Sequence, residues 1–223
     1  MPHDCILTLS CPDRTGIVYR VSATLFEAGC NIDDAQQFGD ADSGRFFLRV
    51  HFHAPDDAAL ARVREGFAAL AGDYAMDWQL HDAQRKARLL VLVSRQGHCL
   101  NDLLFRTHTG QLPATIAAVV SNHRDHEALA DSYGVPFHHL PVSTDTRREQ
   151  ERAILDLAAA EQIDLVVLAR YMQILSTGLC EALAGRAINI HHSFLPSFKG
   201  ARPYHQAHAR GVKIIGATAH YVT

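Results

Sequence analysis

Two polar residues, Asn189 and His191, have types and spacing that suit chemistry. They lie in the segment AINIH, residues 187–191, whose alternating pattern predicts a strand, and side chains two apart on a strand share a face. An amide N–H group can stabilise a developing oxyanion while an imidazole moves a proton, a combination that suits acyl transfer or hydrolysis. The other interpretation is a hydrogen-bonded polar pair at a strand end, and the spacing alone leaves both open.

Histidine is abundant, with 15 copies in the chain, and this raises the alternative of a metal ion that activates water. Two tandem pairs, His138-His139 and His191-His192, are the most suggestive. Neighbours on a strand face opposite sides, however, so such a pair cannot readily hold one ion, and the sequence has no HExxH or HxxxH helix. We therefore predict no metal site.

The composition excludes several classes of protein. A net charge of −3 offers no basic field for nucleic acid, and no run approaches the roughly 20 apolar residues of a spanning helix. The first residues, MPHDCILTLS, lack the pattern of a signal peptide, so we expect a cytoplasmic protein with a small-molecule partner and no membrane contact.

The five cysteines form no CxxC pair. Cys99 lies beside His98, and we interpret it as a buried packing residue rather than as a nucleophile.

The elements that would position Asn189 and His191 belong to an α/β sheet. Continuous apolar segments typical of buried parallel strands alternate with helical segments, which predicts a doubly wound, mostly parallel, Rossmann-like sheet. The predicted strands are residues 88–94, 115–121 and 164–169, and the predicted helices are residues 100–108, 123–132 and 147–161. Ligands of such sheets collect outside the carboxyl ends of the strands, which is where the Asn189 and His191 pair would lie.

The first eighty or so residues follow a different order: strand, helix, two strands, helix, strand. This βαββαβ order is that of a ferredoxin-like sandwich. The predicted strands are residues 6–11, 31–38, 45–52 and 74–80, with helices over residues 17–28 and from residue 56. A polar stretch, HDAQRK, then separates the two patterns. We predict an N-terminal domain over residues 1–82, a linker over 83–87 and a second domain over 88–223.

The residues around Asn189 closely resemble the catalytic domain of the formyltransferases. NIHHSFLPSFKGARPYHQA, residues 189–207, carries an NIHxSxLPxxxG signature, residues 211–222 carry GxTxH, and LARYMQIL, residues 168–175, is similar to a folate-pocket segment of that family. The N-terminal module is similar to an ACT domain. Together these resemblances cover essentially the whole chain and point to the formyltetrahydrofolate deformylases. They imply hydrolysis of 10-formyltetrahydrofolate to tetrahydrofolate and formate, for one-carbon balance and purine synthesis, with no cofactor besides the folate substrate.

The resemblance also implies roles for individual residues. Asn189 would bind the formyl oxygen and His191 would transfer protons. The substrate pocket would be lined by Arg170, Tyr171, Met172, Gln173, Ile174, Leu175, Ser193 and His220. A third catalytic residue, an aspartate, is expected seven positions after His220 and thus past Thr223, and without it the chain should hydrolyse folate very slowly.

The turn after the first strand of the second domain favours water as the acceptor. Residues 94–100, SRQGHCL, contain the single glycine Gly97, and His98-Cys99 stands where the resemblance places the SN pair of the phosphate-binding transferases. Formyl transfer to an amine acceptor remains the alternative. Lys199, Arg202 and Lys213 are candidates for binding the folate glutamate tail, or else solvated surface residues.

The turn DRTG of the N-terminal module is the candidate effector site. By resemblance to ACT domains, Asp13, Arg14, Thr15 and Gly16 would bind an amino acid, glycine or methionine, and the following helix N-terminus offers N–H donors to its carboxylate. The module could instead be only a dimerisation surface, and either interpretation predicts a homo-oligomer. From a different class, the chain could be an amino-acid sensor with an inactive folate-binding domain.

Overall fold

Two units divide the chain at the polar stretch, residues 1–85 and residues 86–223. The computed structural model describes residues 2–143, 145–191 and 203–222, with Pro203 described by its backbone only. Several expectations therefore lie outside the described residues, namely those for Ser193, Lys199, Arg202 and most of the NIHxSxLPxxxG signature. Among the described residues, no helix is both long and apolar enough to cross a membrane.

The first unit has the predicted βαββαβ order. Its elements are β1 (His3–Pro12), α1 (Ile17–Glu27), β2 (Asn31–Asp40), β3 (Arg45–Ala54), α2 (Asp57–Tyr74) and β4 (Asp77–Asp82). The antiparallel sheet has the order β2-β3-β1-β4, so β2 and β4 are its edges. Alternate residues of β1, among them Leu7 and Leu9, are buried beneath the two helices. The other face of the sheet carries the polar residues of β1 and β3.

Local contacts fix the two helices of this unit. The Asp56 carboxylate accepts a hydrogen bond from the Ala59 N–H at 2.7 Å and caps α2. At Gly66 the two helices approach so closely that an added β-carbon would lie 2.6 Å from Cγ2 of Thr24. The helix ends at Tyr74 and the left-handed Ala75, so β4 begins at Asp77 and not at the predicted residue 74.

The second unit is the predicted doubly wound α/β sheet. Its elements are β5 (Ala87–Val93), α3 (His98–His108), β6 (Ala114–Ser121), α4 (Glu127–Ser132), β7 (Phe137–His139), α5 (Arg147–Ala160), β8 (Leu165–Leu168), α6 (Thr177–Ala182), β9 (Ala187–His191), α7 (Pro203–Ala209) and β10 (Thr218–Tyr221). The strand order is β10-β9-β8-β5-β6-β7, and every pair is parallel except β9 with β10.

Strand β5 lies in the middle of this sheet, and this central position explains why its sequence is apolar. Leu90 and Leu92 pack into one core and Leu89, Val91 and Val93 into another, because helices cover both faces. The chain leaves β5 toward β6 and β7, then returns to the opposite side of β5 as β8. This reversal creates a crevice at the carboxyl ends of β5 and β8, the usual ligand position in such sheets.

Three short features of the second unit differ from the sequence prediction. Helix α4 begins at Glu127 rather than at residue 123, because the Ser121 hydroxyl accepts a hydrogen bond from the His123 N–H and holds those residues in a turn. The three-residue strand β7 and the six-residue helix α6 were not predicted. Both are too short to show a periodic pattern.

Candidate active site

The predicted pair lies on β9, at the carboxyl edge of the parallel sheet. Asn189 and His191 alternate with Ile188 and Ile190 and therefore share a face, as the spacing predicts. Both residues are half-buried, and Nε2 of His191 is shielded from solvent. The pair is thus held in a partly dry environment where electrostatic interactions are stronger than in water.

Strand β10 adds His220 to the same face, directly across from Asn189 in the antiparallel ladder. The Asn189 amide nitrogen lies 3.4 Å from Nε2 of His220, and Nδ1 of His220 lies 2.8 Å from the Tyr221 carbonyl oxygen. A carbonyl can only accept, so Nδ1 carries the proton and Nε2 accepts from the Asn189 amide. His220 thereby orients the amide so that its second N–H remains for another acceptor.

The segment after β8, residues 170–175, has side chains that point in two directions. Tyr171 is buried, and its hydroxyl accepts a hydrogen bond from the Gln150 side chain at 2.7 Å. Met172 and Ile174 project outward, with exposed fractions of 60% and 85%. Leu175 packs against the core. The segment therefore offers apolar side chains and backbone to a ligand, while Tyr171 fixes its position from inside.

A buried serine ties this segment to the neighbouring strands. Ser94, at the end of β5, accepts a hydrogen bond from the Met172 N–H at 3.0 Å and donates one to Oδ1 of Asn122 at 2.8 Å. Its own N–H donates to the Arg170 carbonyl at 3.3 Å. Arg170 adopts a left-handed backbone, φ 63°, and its Nε donates to Oε1 of Gln96 at 2.8 Å. Sequence reasoning missed Ser94 and Asn122 as supports because they come from different strands.

A cleft opens beside the exposed part of this segment. Its walls are Val142, Ser143, Arg147, Met172, Gln173 and Ile174. Arg147, at the start of α5, brings a positive charge to the cleft and lies 3.6 Å from Glu151. A ligand with a flat apolar body and an anionic end would match these walls, and Arg147 was not among the candidates found from sequence.

The turn at residues 94–100 differs from an open anion cradle. The ring of His126 lies over Gly97 so closely that an added β-carbon would be 2.4 Å from its Cε1 atom. Nε2 of His126 lies 3.1 Å from the Arg95 carbonyl oxygen. Helix α3 begins at His98, and burial raises the pKa of the Cys99 thiol, with Arg170 acting in the opposite direction. A raised pKa keeps Cys99 protonated, which does not suit a nucleophile.

The candidate effector turn of the first unit is well defined. Gly16 adopts φ 93° at the start of α1, a backbone conformation that favours glycine. The Arg14 guanidinium lies 3.6 Å from the centroid of the Tyr74 ring and donates to the Asp73 carbonyl, so it is already engaged. Asp13 and Thr15 are exposed.

In the second unit, Lys213 is the one described candidate for binding the folate glutamate tail, and its side chain is also exposed.

Comparisons with known proteins agree on both units. Residues 87–223 match the formyl transferase family, and residues 6–65 match the ACT domain family. The chain is 51% identical to the formyltetrahydrofolate deformylase of Corynebacterium sp. (strain P-1) over 97% of its length and 76% of that protein. It is 46% identical to that of Bacillus subtilis (strain 168), with coverage of 97% and 73%. The crystal structure of the Burkholderia mallei deformylase superposes with a TM-score of 0.90 at 49% identity, with coverage of 99% and 78%.

Proposed function

Since the chain belongs to the formyltetrahydrofolate deformylases of the formyl transferase family, we propose that its Asn189 and His191 catalyse the reaction of these hydrolases at the carboxyl edge of the parallel sheet. The reaction is the hydrolysis of 10-formyltetrahydrofolate to tetrahydrofolate and formate, and folate is the substrate. The observation that supports these two residues is their shared face on β9 at the carboxyl edge of the sheet, with His220 orienting the Asn189 amide.

The chemistry requires a stabilised oxyanion and one proton relay. Water adds to the formyl carbon, and the carbonyl oxygen becomes an oxyanion that the free N–H of the Asn189 amide can bind. His191 takes one proton from water and delivers it to the folate nitrogen, so that the carbon–nitrogen bond breaks. The product leaves as formic acid, which loses its remaining proton to solvent and becomes formate. His220 acts through Asn189 as a positioning residue. The 3.4 Å contact would tighten when the substrate closes the site.

The cleft beside residues 172–174 is the proposed folate position. The exposed Met172 and Ile174 can cover an aromatic ring, and Arg147 provides a cation for an anionic tail. Ser94 and Asn122 hold the backbone of this wall in place. Water is the proposed acceptor because the His126 ring occupies the space above the turn at Gly97, where an acceptor phosphate would otherwise approach the helix N-terminus.

Steady-state formate release tests the catalytic assignment. Asn189→Ala should lower kcat by about 10²–10³-fold, the usual effect of losing one oxyanion donor. His191→Ala should lower it by about 10²–10⁴-fold, the usual contribution of acid–base catalysis. Asn101→Ala, at an exposed position of α3, and His108→Ala, near the end of the same helix, are the matched controls and should stay within twofold of wild type.

Two outcomes would contradict the proposal. His191→Ala turnover within a few-fold of wild type would remove His191 from the mechanism. Transfer of the formyl group that depends strictly on an added amine, with no formate released in water alone, would identify a transferase instead. The assay therefore measures both free formate and formylated amine, with and without an amine acceptor.

We propose that the ACT domain binds an amino-acid effector, glycine or methionine, at the turn of Asp13 and Gly16. The support is the left-handed Gly16 and the eleven-residue helix α1 that starts beside it, whose first N–H groups can receive a carboxylate. Titration with each amino acid, read out by calorimetry and by formate release, tests this. Asp13→Asn should weaken binding, and Asp42→Asn, at an exposed acid of the same unit, should not. Equal binding by both variants would exclude Asp13.

We also propose that the protein is a homo-oligomer. Strand β2 is an edge strand, and nine of its ten residues are exposed. Phe38 and Phe47 stack on each other with ring centroids 6.4 Å apart while both remain exposed. An exposed edge with apolar side chains invites pairing with a second copy. Light scattering coupled to size-exclusion chromatography should give a mass above one chain, and Phe38→Asp should lower it. A monomeric wild type would refute the proposal.

A further inference from the structure

Four side chains with nitrogen and oxygen ligand atoms converge on the polar face of the N-terminal sheet. They are Asp4 of β1, Asp33 of β2, and His51 and His53 of β3. Nε2 of His51 lies 2.5 Å from Oδ1 of Asp4, and Nδ1 of His53 lies 3.4 Å from the same oxygen. Nε2 of His53 lies 3.2 Å from Oδ2 of Asp33.

The backbone of three strands brings these residues together. His51 and His53 are two apart on β3 and therefore share a face, and Asp4 pairs directly with His53 in the β1–β3 ladder. A β-bulge between Ile32 and Asp34 makes Asp33 an extra residue of β2, outside the regular alternation. Bulges of this kind re-aim a side chain, and here the bulged residue faces His53.

The carboxylate of Asp33 is also held in orientation by a neighbour. The Asn31 side chain donates to Oδ1 of Asp33 at 3.1 Å, which leaves Oδ2 toward His53. Carboxylates that ligate metals are themselves hydrogen-bonded, and Asn31 would supply that support here. All four side chains are partly exposed, so an ion can reach them from solvent.

We propose that Asp4, Asp33 and His53 form a binding site for one divalent transition ion such as Zn²⁺, with water completing the coordination and His51 holding the Asp4 carboxylate. Ligand atoms of a tetrahedral zinc site lie about 2.0–2.2 Å from the ion and therefore about 3.3 Å from one another. The two nitrogens of His53 contact different carboxylates, so His53 would give the ion one of them. One ligand atom each from Asp4, Asp33 and His53 lies within 4.8 Å of the other two, so small movements of these side chains would bring them to that spacing. Imidazole selects for zinc over magnesium or calcium.

The ion would join three strands and thus tie the edge strand β2 to β3 and β1. The site is remote in sequence from the catalytic pair, and its ligands belong to the other unit of the chain. Its role is therefore structural, and metal binding should raise the unfolding midpoint of the folded protein by mass action. The tandem histidine pairs that the sequence suggested are not part of it, since the ligands come from strands that only the fold brings together.

Zinc titration of the whole protein tests the proposal. The protein carries no affinity tag, is freed of metal with a chelator, and competes with a chromogenic chelator for Zn²⁺. We expect one tight equivalent in wild type, weakened by more than about 100-fold in His53→Asn and by about 10-fold in Asn31→Ala, because loss of an outer hydrogen bond typically costs 10–100-fold in affinity. Excess Mg²⁺ should not displace the zinc.

The matched control breaks a different Asp–His pair of the same unit. His3 lies 2.7 Å from Asp57, and the described part of the chain places no third ligand beside this pair. His3→Asn therefore removes one imidazole and one ion pair but should leave zinc affinity unchanged. If His53→Asn does not fold, Asp33→Asn takes its place. The proposal is overturned if wild type binds zinc no more tightly than His53→Asn, if His3→Asn weakens binding equally, or if zinc leaves the unfolding midpoint unchanged.

Discussion

Replacement of Ser94 by alanine would remove the buried support of residues 172–174, the segment that we propose lines the folate position. The hydroxyl of Ser94 serves two partners at once, the Met172 N–H at 3.0 Å and Oδ1 of Asn122 at 2.8 Å, and the residue is only 3% exposed. A buried polar group left without its partner costs about 1–3 kcal/mol. The Met172 N–H can find water after a small movement, so we expect a total loss of about 2 kcal/mol in unfolding free energy.

The functional effect follows from the same contact. If the segment at Met172 leaves its position and must be restored on substrate binding, each 1.4 kcal/mol of that cost is a factor of ten in affinity. We therefore expect Ser94→Ala to raise the KM for 10-formyltetrahydrofolate by about tenfold while kcat falls by less, because Asn189 and His191 are untouched.

Urea unfolding followed by circular dichroism, together with steady-state kinetics, measures both effects. Trp78 is the single tryptophan and lies in the first unit, so its fluorescence reports that unit separately. Ser132→Ala is the control, because this exposed hydroxyl donates to the Leu129 carbonyl of its own helix and makes no other hydrogen bond to the residues that the structure describes. Asn122→Ala should show a coupling with Ser94→Ala of about 1 kcal/mol in a double-mutant cycle. A Ser94→Ala loss below about 0.5 kcal/mol, no more than a typical surface change, would refute the reasoning.

Two further predictions concern stability. Gly66→Ala should destabilise the protein by about 1–3 kcal/mol, because the new methyl group would meet Thr24. Gly72→Ala in the same helix should stabilise it by about 0.5–1 kcal/mol, because its methyl group would have nothing within 4 Å. Urea midpoints of the two variants that move in the same direction would contradict this. Burial raises the pKa of the Tyr171 hydroxyl, with the hydrogen bond from Gln150 acting in the opposite direction. The folded state thus holds the Tyr171 proton more tightly than the unfolded state, so the stability linked to this proton is present below about pH 10 and is lost as the pH rises above it. Tyr171→Phe should therefore make the unfolding free energy fall less steeply at alkaline pH. An unchanged slope would show that Tyr171 is not responsible.

The order of the elements could be predicted because each unit keeps one pattern throughout. Alternate burial along β1 and the continuous apolar sequence of β5 correspond to a sheet covered on one face and a sheet covered on both. The ends of helices and strands differ from the prediction where a local contact decides where the element stops. At Ala75 the helix ends in a left-handed residue that is not glycine, and the sequence carries no signal for it.

The candidate site was predictable only within one strand. The common face of Asn189 and His191 follows from their spacing, but the position of His220 depends on the antiparallel pairing of β10 with β9. The contacts of Ser94 depend on β5 lying between β6 and β8. Residue spacing along one segment cannot supply such contacts, because they join segments that the strand order alone makes adjacent.

The position of β8 beside β5 has a consequence for how the protein folds. Leu89 pairs with Leu165, and the chain between these two strands contains all the elements from α3 to α5. Closing so long a segment costs chain entropy before the parallel ladder forms, and such non-local pairings slow folding. The hydrogen bond from Met172 to Ser94 exists only after β8 has docked. During refolding, helical circular dichroism should therefore recover first, and the ability to bind folate should follow with a measurable delay.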